Sequence, residues 1–215
     1  MLTLLIGNRN YSSWSLRAWI LLRHLGLEFT EQQVPLDLPD TAARLRAFSP
    51  AGLVPALRDG DLLVWDSLAI CEYACELAGR GLPADRAQRA LARSVAAEMH
   101  SGFRLIRRTW PMNARATGRR TATSPGLLAE VARIDAVWNQ CRAARTVEGA
   151  WLLGEYSIAD AMYAPMALRF ATYGARLSPV AAGYVQAVLD DPAMGEWIAA
   201  ARAEPWVIAN DEAGA

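Results

Sequence analysis

The chain has 215 residues, 53% hydrophobic and 20% charged, and its 22 acidic and 22 basic side chains balance to zero net charge. That length supports one large domain or two small ones with a sizeable core, and the neutral balance excludes a global attraction to nucleic acid or an anionic membrane. All 22 basic residues are arginine, which excludes Schiff-base and pyridoxal chemistry because both need a lysine amine.

The first residues lack a basic segment followed by a long apolar core and a small-residue cleavage site, and no apolar run approaches the roughly 20 residues that cross a bilayer. A cytoplasmic location with no membrane partner is therefore expected. The three cysteines, Cys71, Cys75 and Cys141, are odd in number and form no CxxC pair, which argues against a disulfide framework or a structural zinc site, and no metal is expected. Cys71 and Cys75 stand four apart on one helix face and read as packing.

Taken in chain order, residues 2–6 form an apolar run of strand length, and "WSLRAWILLRHL" (14–25) has apolar positions at helical spacing with Gly26 as a stop. "LEFTEQQVPL" reads as a second strand, so the first 36 residues resemble a βαβ unit with a parallel pair. "DTAARLRAFS" predicts a short amphipathic helix, "LVPALRDGDLLVWDS" two strands around an Asp59-Gly60 turn, and Ser67 is a plausible N-cap for a helix to about Leu77. Glycines and a proline in "GRGLPADR" then punctuate the pattern, and strand signals nearly vanish. Beyond them "ADRAQRALARSVAAEMHSGFRLIRR" reads as one long helix, followed by helices over "PGLLAEVARIDAVWNQCRAAR" and "SIADAMYAPMALRFATYG" and two shorter ones near 179–189 and 192–202. The predicted class is α/β plus all-α, with an α/β part over 1–80 and an all-helical part over 85–215.

Four stretches, in this order and spacing, carry a resemblance across both parts: "YSSWSLRAW", "SPAGLVPAL", "VWDSLAICEYA" and "LLGEYSIADAMYAP". They resemble motifs of the soluble glutathione transferases, and the serines before the first helix resemble the serine-type zeta and theta classes. The resemblance implies a thioredoxin-like glutathione-binding domain over 1–80, a helical domain over 85–215 that forms the acceptor-substrate pocket, and a homodimer. It implies transferase activity toward a small electrophile with glutathione as co-substrate. Glutathione-dependent cis-trans isomerisation of the maleylacetoacetate type and a non-catalytic binding module are the alternatives.

Residue by residue, the resemblance makes Val54-Pro55 a cis bond whose Val54 backbone pairs with the cysteinyl part of glutathione in the manner of an added strand. It gives Ser67 the γ-glutamyl α-carboxylate, at the N-terminus of a helix whose first amides are free donors, and gives Asp66 the α-amino group. It places Ser12 on the activating serine and Ser13 beside it. A thiol with a pKa near 8.5 is only a few per cent thiolate at neutral pH, and a donated hydroxyl plus a helix N-terminus both favour the anion. Helix capping alone also accounts for two serines there, and Tyr11 is a rival donor because a tyrosine serves this purpose in other classes. Zeta-type members carry a small residue or cysteine where this chain has Trp14. Arg17 reads as a structural pairing partner.

The acceptor pocket is expected beside the first long helix of the second half, with Tyr11, Trp14, His100, Arg104, Arg108 and Trp110 as possible lining. Residues 104–120 hold six arginines and no acid, which fits either a solvated face or a cleft where Arg104, Arg108 or Arg115 meets an anionic acceptor. Ser157 with Asp160 three residues later is nearly a capping box, with Tyr156 as the preceding staple, and reads as structural.

Overall fold

The computed structural model describes all 215 residues. The first apolar run, Leu2–Ile6, forms β1, the second strand in a four-stranded sheet of order β2-β1-β3-β4. Parallel to it runs β2 (Phe29–Gln33), with Leu2 opposite Phe29, while β3 (Ala56–Asp59) is antiparallel to β1 with Leu4 opposite Leu57. Strand β4 (Leu62–Trp65) completes the predicted hairpin, with Gly60 at φ 57° in the turn. Period-two alternation divides β1 between two cores. Leu4 and Ile6 join the large cluster with helices α1 (Ser13–His24) and α3 (Ser67–Ala78), whereas Leu5 packs with Leu45 and Phe48 of α2 (Thr41–Phe48).

Helix α1 is buried on nearly every side, from Leu16 through Leu22, as its almost continuous apolar sequence requires. Its end is a Schellman turn. Gly26 takes φ 63°, its N–H donates to Arg23 O at 3.0 Å, and Leu27 N–H donates to Leu22 O at 3.1 Å.

The remaining elements are helices: α4 (Arg86–Ser101), α5 (Arg104–Thr109), α6 (Pro125–Ala144), α7 (Ile158–Tyr173), α8 (Pro179–Leu189) and α9 (Pro192–Ala203), with a 3₁₀ turn at Ala209–Asp211. Helix α7 is the axis of this half, apolar and buried almost all round, and packs against α1, α4 and α8. One apolar cluster therefore runs from the sheet through α1 into α7 and its neighbours. No helix is long and apolar enough to cross a membrane.

The single long helix expected over 84–108 is instead two, α4 and α5. The chain breaks at Gly102 and at Phe103, which adopts φ 57° while burying its ring. Groups distant in sequence stabilise the break. The Arg107 guanidinium donates to the carbonyls of Met99 and His100 at the end of α4, and the Glu130 carboxylate accepts from Leu105 N (3.3 Å) and Ile106 N (2.9 Å) at the start of α5. A cation at one helix C-terminus and an anion at the next N-terminus satisfy the end groups that a continuous helix would have paired internally.

The loop between β1 and α1 is tied to the chain's end. Arg9 N and Asn10 N donate to the Glu204 carboxylate at 2.6 and 3.1 Å, and Tyr11 Oη donates to Glu212 at 2.6 Å. At the start of α7, the Asp160 carboxylate accepts from Leu152 N, Ser157 N and Ser157 Oγ, each at 2.9 Å. Tyr156 stacks on His24 with ring centres 3.4 Å apart.

Removing the Asp160 carboxylate orphans buried donors, so Asp160→Ala should cost roughly 2 to 4 kcal/mol and lower the melting temperature by several degrees. A purely catalytic loss at an unchanged melting temperature would refute this structural role. Burial outweighs the three donors and pushes the Asp160 carboxyl up to about 6 from 3.8. Between these values the folded chain keeps a proton that the unfolded chain has released, so this group's contribution to stability falls as pH rises through that window and is level above it. The melting-temperature gap between wild type and Asp160→Ala should accordingly be wider near pH 4 than near pH 8.

Candidate functional site

A cleft of about 460 Å³ opens where the loop before β3, the β4–α3 junction and the first turn of α1 meet, with Trp14, Leu53, Val54, Pro55, Trp65, Asp66 and Ser67 in its wall. The Val54–Pro55 bond is cis. A larger groove of about 910 Å³ lies between α6 and the end of α7 and contains none of these residues. The smaller cleft is the candidate site because it gathers the backbone leading into β3, a helix N-terminus and an unpaired hydroxyl.

At the β4–α3 junction the N-cap is Asp66, one residue earlier than the expected Ser67. Asp66 Oδ1 accepts from Leu68 N at 2.8 Å and Ala69 N at 3.3 Å, and its backbone adopts φ 77° to aim the carboxylate at these amides. Two capping residue types stand side by side, and Asp66 holds the non-helical position from which its side chain meets both amides. Ser67, relieved of capping, becomes the first helical residue, and its Oγ is buried with no hydrogen-bond partner. An unpaired buried hydroxyl is costly unless a ligand completes it.

The second carboxylate oxygen of Asp66 lies 3.2 Å from His100 Nε2 on α4. His100 also meets the edge of Trp14, with ring centres 5.3 Å apart, so it joins the two halves beside the cleft. Burial pushes its pKa down, and the Asp66 charge partly opposes that shift.

Ser12 is the N-cap of α1. Ser15 N–H donates to Ser12 Oγ at 3.3 Å, the two hydroxyls are 2.8 Å apart, and Ser15 Oγ accepts from Gly7 N at 3.0 Å. Ser13 Oγ accepts from Arg169 Nη2 at 3.2 Å. Both serines are buried, at 5% and 7% exposure, and Trp14, the next residue, forms the cleft wall.

Around Trp14 stands a group of guanidinium ions. Arg17 lies 4.4 Å and Arg107 4.7 Å from its ring centre, close enough for cation–π attraction. Arg17 is 1% exposed, and its Nε and Nη1 meet no acceptor; the pairing partner expected for it is absent. Burial, followed by the charges of Arg107 and Arg169, pulls Arg17 down to about 9, and burial with Arg107 pulls Arg169 down to about 10. All three remain protonated at neutral pH, a concentration of positive charge beside the serines.

The other expected residues are distributed elsewhere. Tyr11 bonds Glu212 and accepts from Arg115 Nη2 at 2.8 Å, and Arg119 reaches the same carboxylate at 2.6 Å, so Arg115 and Arg119 anchor the C-terminal segment instead of facing the cleft. Trp110 stacks with Tyr173 at 5.5 Å and borders the larger groove. Arg104 and Arg108 are exposed on α5 without an ion pair, because the restart of the helix at Arg104 turns Arg107 inward in their place. Arg107 and Arg169 were absent from the expected set. The signal for Arg169 was a lone charge in the otherwise apolar "AMYAPMALRFATY"; for Arg107 nothing distinguished it from its neighbours.

The cysteines are free and buried. Burial pushes Cys75 and Cys141 up to about 12 and Cys71 higher, which leaves them neutral and unreactive. No three His, Cys, Asp or Glu side chains gather as a metal site requires.

Residues 11–77 match the family model described as glutathione S-transferase, N-terminal domain. A probable glutathione S-transferase, GSTF2 of Oryza sativa subsp. japonica, is 44% identical over 71 residues, which span 29% of this chain and 30% of that relative. The chain thus matches less than a third of that curated relative's length. Among solved structures, a glutathione transferase homolog from Burkholderia GL BGR1 with bound glutathione superposes with a TM-score of 0.72 at 23% identity, covering 94% of this chain and 99% of that one. The holo structure of maleyl pyruvate isomerase, a bacterial zeta-class glutathione S-transferase, gives 0.71 at 21% identity, covering 96% and 100%. At such identities the likeness speaks for the fold. Residues 11–77 thus match the N-terminal domain of the glutathione S-transferases, and the chain from end to end shares the fold of the glutathione transferase structures on which it superposes.

Proposed function

We propose that the protein is a glutathione transferase that binds glutathione in the Val54–Ser67 cleft, ionises its thiol and directs the thiolate at a small electrophile. The observation that carries this reading is the buried, unpaired Ser67 hydroxyl at the N-terminus of the 12-residue helix α3, in the wall of the same cleft as Val54 and Pro55. A helix N-terminus with a free hydroxyl accepts a carboxylate through charge-assisted bonds. The γ-glutamyl α-carboxylate meets Ser67 and the first amides of α3, and its α-amino group meets Asp66. The Val54 backbone takes the cysteinyl segment as an added strand does.

Those contacts direct the thiol toward the start of α1. There the serine hydroxyls, the helix N-terminus and the charges of Arg17, Arg107 and Arg169 all favour the anion over the thiol. The proton leaves to solvent, and the thiolate forms its bond to an electrophilic carbon of the acceptor as that carbon's bond to the leaving group breaks: a halide departs as the anion, and an opened epoxide oxygen takes a proton from water. A depression of one to two pKa units corresponds to roughly 1.4 to 2.8 kcal/mol, within the scale of one charge-assisted hydrogen bond plus a helix terminus. The sheet-containing part, 1–80, holds glutathione, the helical part, 85–215, supplies the acceptor side through His100, and the enzyme works as a homodimer in the cytosol.

Retention on glutathione-agarose, followed by turnover of a panel of halides, epoxides, peroxides and maleyl compounds, tests this reading. Conjugation of at least one electrophile is expected; isomerisation of maleyl compounds alone would favour the isomerase, and retention without any turnover a binding module. Ser67→Ala should raise KM for glutathione about tenfold or more with a much smaller change in kcat, since its contact lies far from the sulfur. An unchanged KM in that variant would remove the cleft assignment.

A further inference from the structure

We propose that Arg169 is a positioning residue that fixes the direction of the Ser13 hydroxyl, and that it thereby makes Ser13, in preference to its neighbour Ser12, the donor to the glutathione sulfur. The inference rests on the transferase reading and concerns which atom performs its central step.

A guanidinium has five N–H donors and no acceptor, so its contact with a hydroxyl can run in one direction alone. Arg169 Nη2 donates to Ser13 Oγ at 3.2 Å. The same guanidinium is held at two further points, through Nε to the Trp110 carbonyl at 2.8 Å and through Nη1 to the Pro165 carbonyl at 3.4 Å. Arg169 is 4% exposed, in a helix packed against α1, so its fork cannot swing away. Ser13 Oγ has no other hydrogen-bond partner in the protein. Its lone pair is engaged by Arg169, and its proton has no internal acceptor; a sulfur anion arriving in the cleft is the acceptor that completes it.

Ser12 is differently placed. Its oxygen already accepts from Ser15 N, and Ser15 Oγ at 2.8 Å can receive its proton. Ser12 is satisfied within the fold as a cap, whereas Ser13 is satisfied by a ligand. The Arg169 charge also polarises the Ser13 O–H, which strengthens donation. No bond forms to Ser13: the thiol proton leaves to water, and Ser13 keeps its own proton while donating a hydrogen bond to the sulfur.

The test is the absorbance titration of glutathione thiolate bound to wild type, Ser12→Ala, Ser13→Ala, Arg169→Met, Arg169→Lys and the Ser13→Ala/Arg169→Met double variant, with melting temperatures recorded for each. Ser13→Ala should raise the pKa of the bound thiol by about one unit, a tenfold change in the thiolate-to-thiol ratio at a given pH, and Ser12→Ala far less. Arg169→Met should cause a similar rise that disappears in the Ser13→Ala background, and Arg169→Lys, which keeps a donor, should reverse part of it. An Arg169→Met effect of equal size with or without Ser13 would overturn the proposal, since Arg169 would then act through its field and not through the hydroxyl. A larger effect at Ser12 than at Ser13 would overturn it too, and this comparison stands even where the Arg169 variants fail to fold. A wild-type protein that binds glutathione with an unshifted thiol would instead remove the transferase reading beneath it.

Discussion

The structure depends above all on the burial of α1 between the sheet and α7. This helix exposes almost nothing of its middle turns, and the apolar cluster through it is the same one that organises both halves of the chain. Because α1 is immobilised on all sides, its N-terminus is immobilised too, and the Asn8–Ser12 loop is further bound to Glu204 and Glu212 near the chain's end. A helix start that, in the proposed function, presents a hydroxyl to a sulfur within hydrogen-bond tolerance gains from such constraint, since errors of an ångström are costly in an active site. The packing that stabilises the fold is also what places Arg169 at Ser13, Arg107 at Trp14 and His100 at Asp66.

Electrostatics gives the site its chemical character. Arg17, Arg107 and Arg169 crowd together with little negative charge among them, and desolvation works against all three. Buried charges of one sign are unfavourable unless an opposite charge arrives. The structure stores that cost where the proposed thiolate would sit, so the ligand's charge relieves a repulsion that the empty protein bears. The same cations lie against Trp14, whose ring face offers partial compensation in the absence of the anion.

Much of this was legible in the sequence, and what was not has physical reasons. Strand alternation, the Asp59-Gly60 turn and the helix patterns correctly ordered the elements through α3, because each of these signals is local. The break between α4 and α5 was invisible because the arginine-rich run continues helical periodicity through Gly102, while the groups that stabilise the interruption, Arg107 and Glu130, act across space. The sequence pattern points to Ser67 as the cap, whereas the φ of 77° at Asp66 aims that carboxylate at the helix amides and leaves the Ser67 hydroxyl free. Serine motifs and the Val54-Pro55 edge were readable as a set of positions. The partner of Ser13 lies 156 residues away on α7, a contact that no local pattern encodes, although a lone arginine in an apolar helix was a visible anomaly.

The central claim is that this cleft binds glutathione as the thiolate. The most direct measurement is the pH titration of thiolate absorbance for glutathione bound to the wild-type protein at saturation. The account predicts an apparent pKa one to two units below the ordinary thiol value of about 8.5. A bound thiol that titrates at its solution value, or no saturable binding of glutathione, would contradict it.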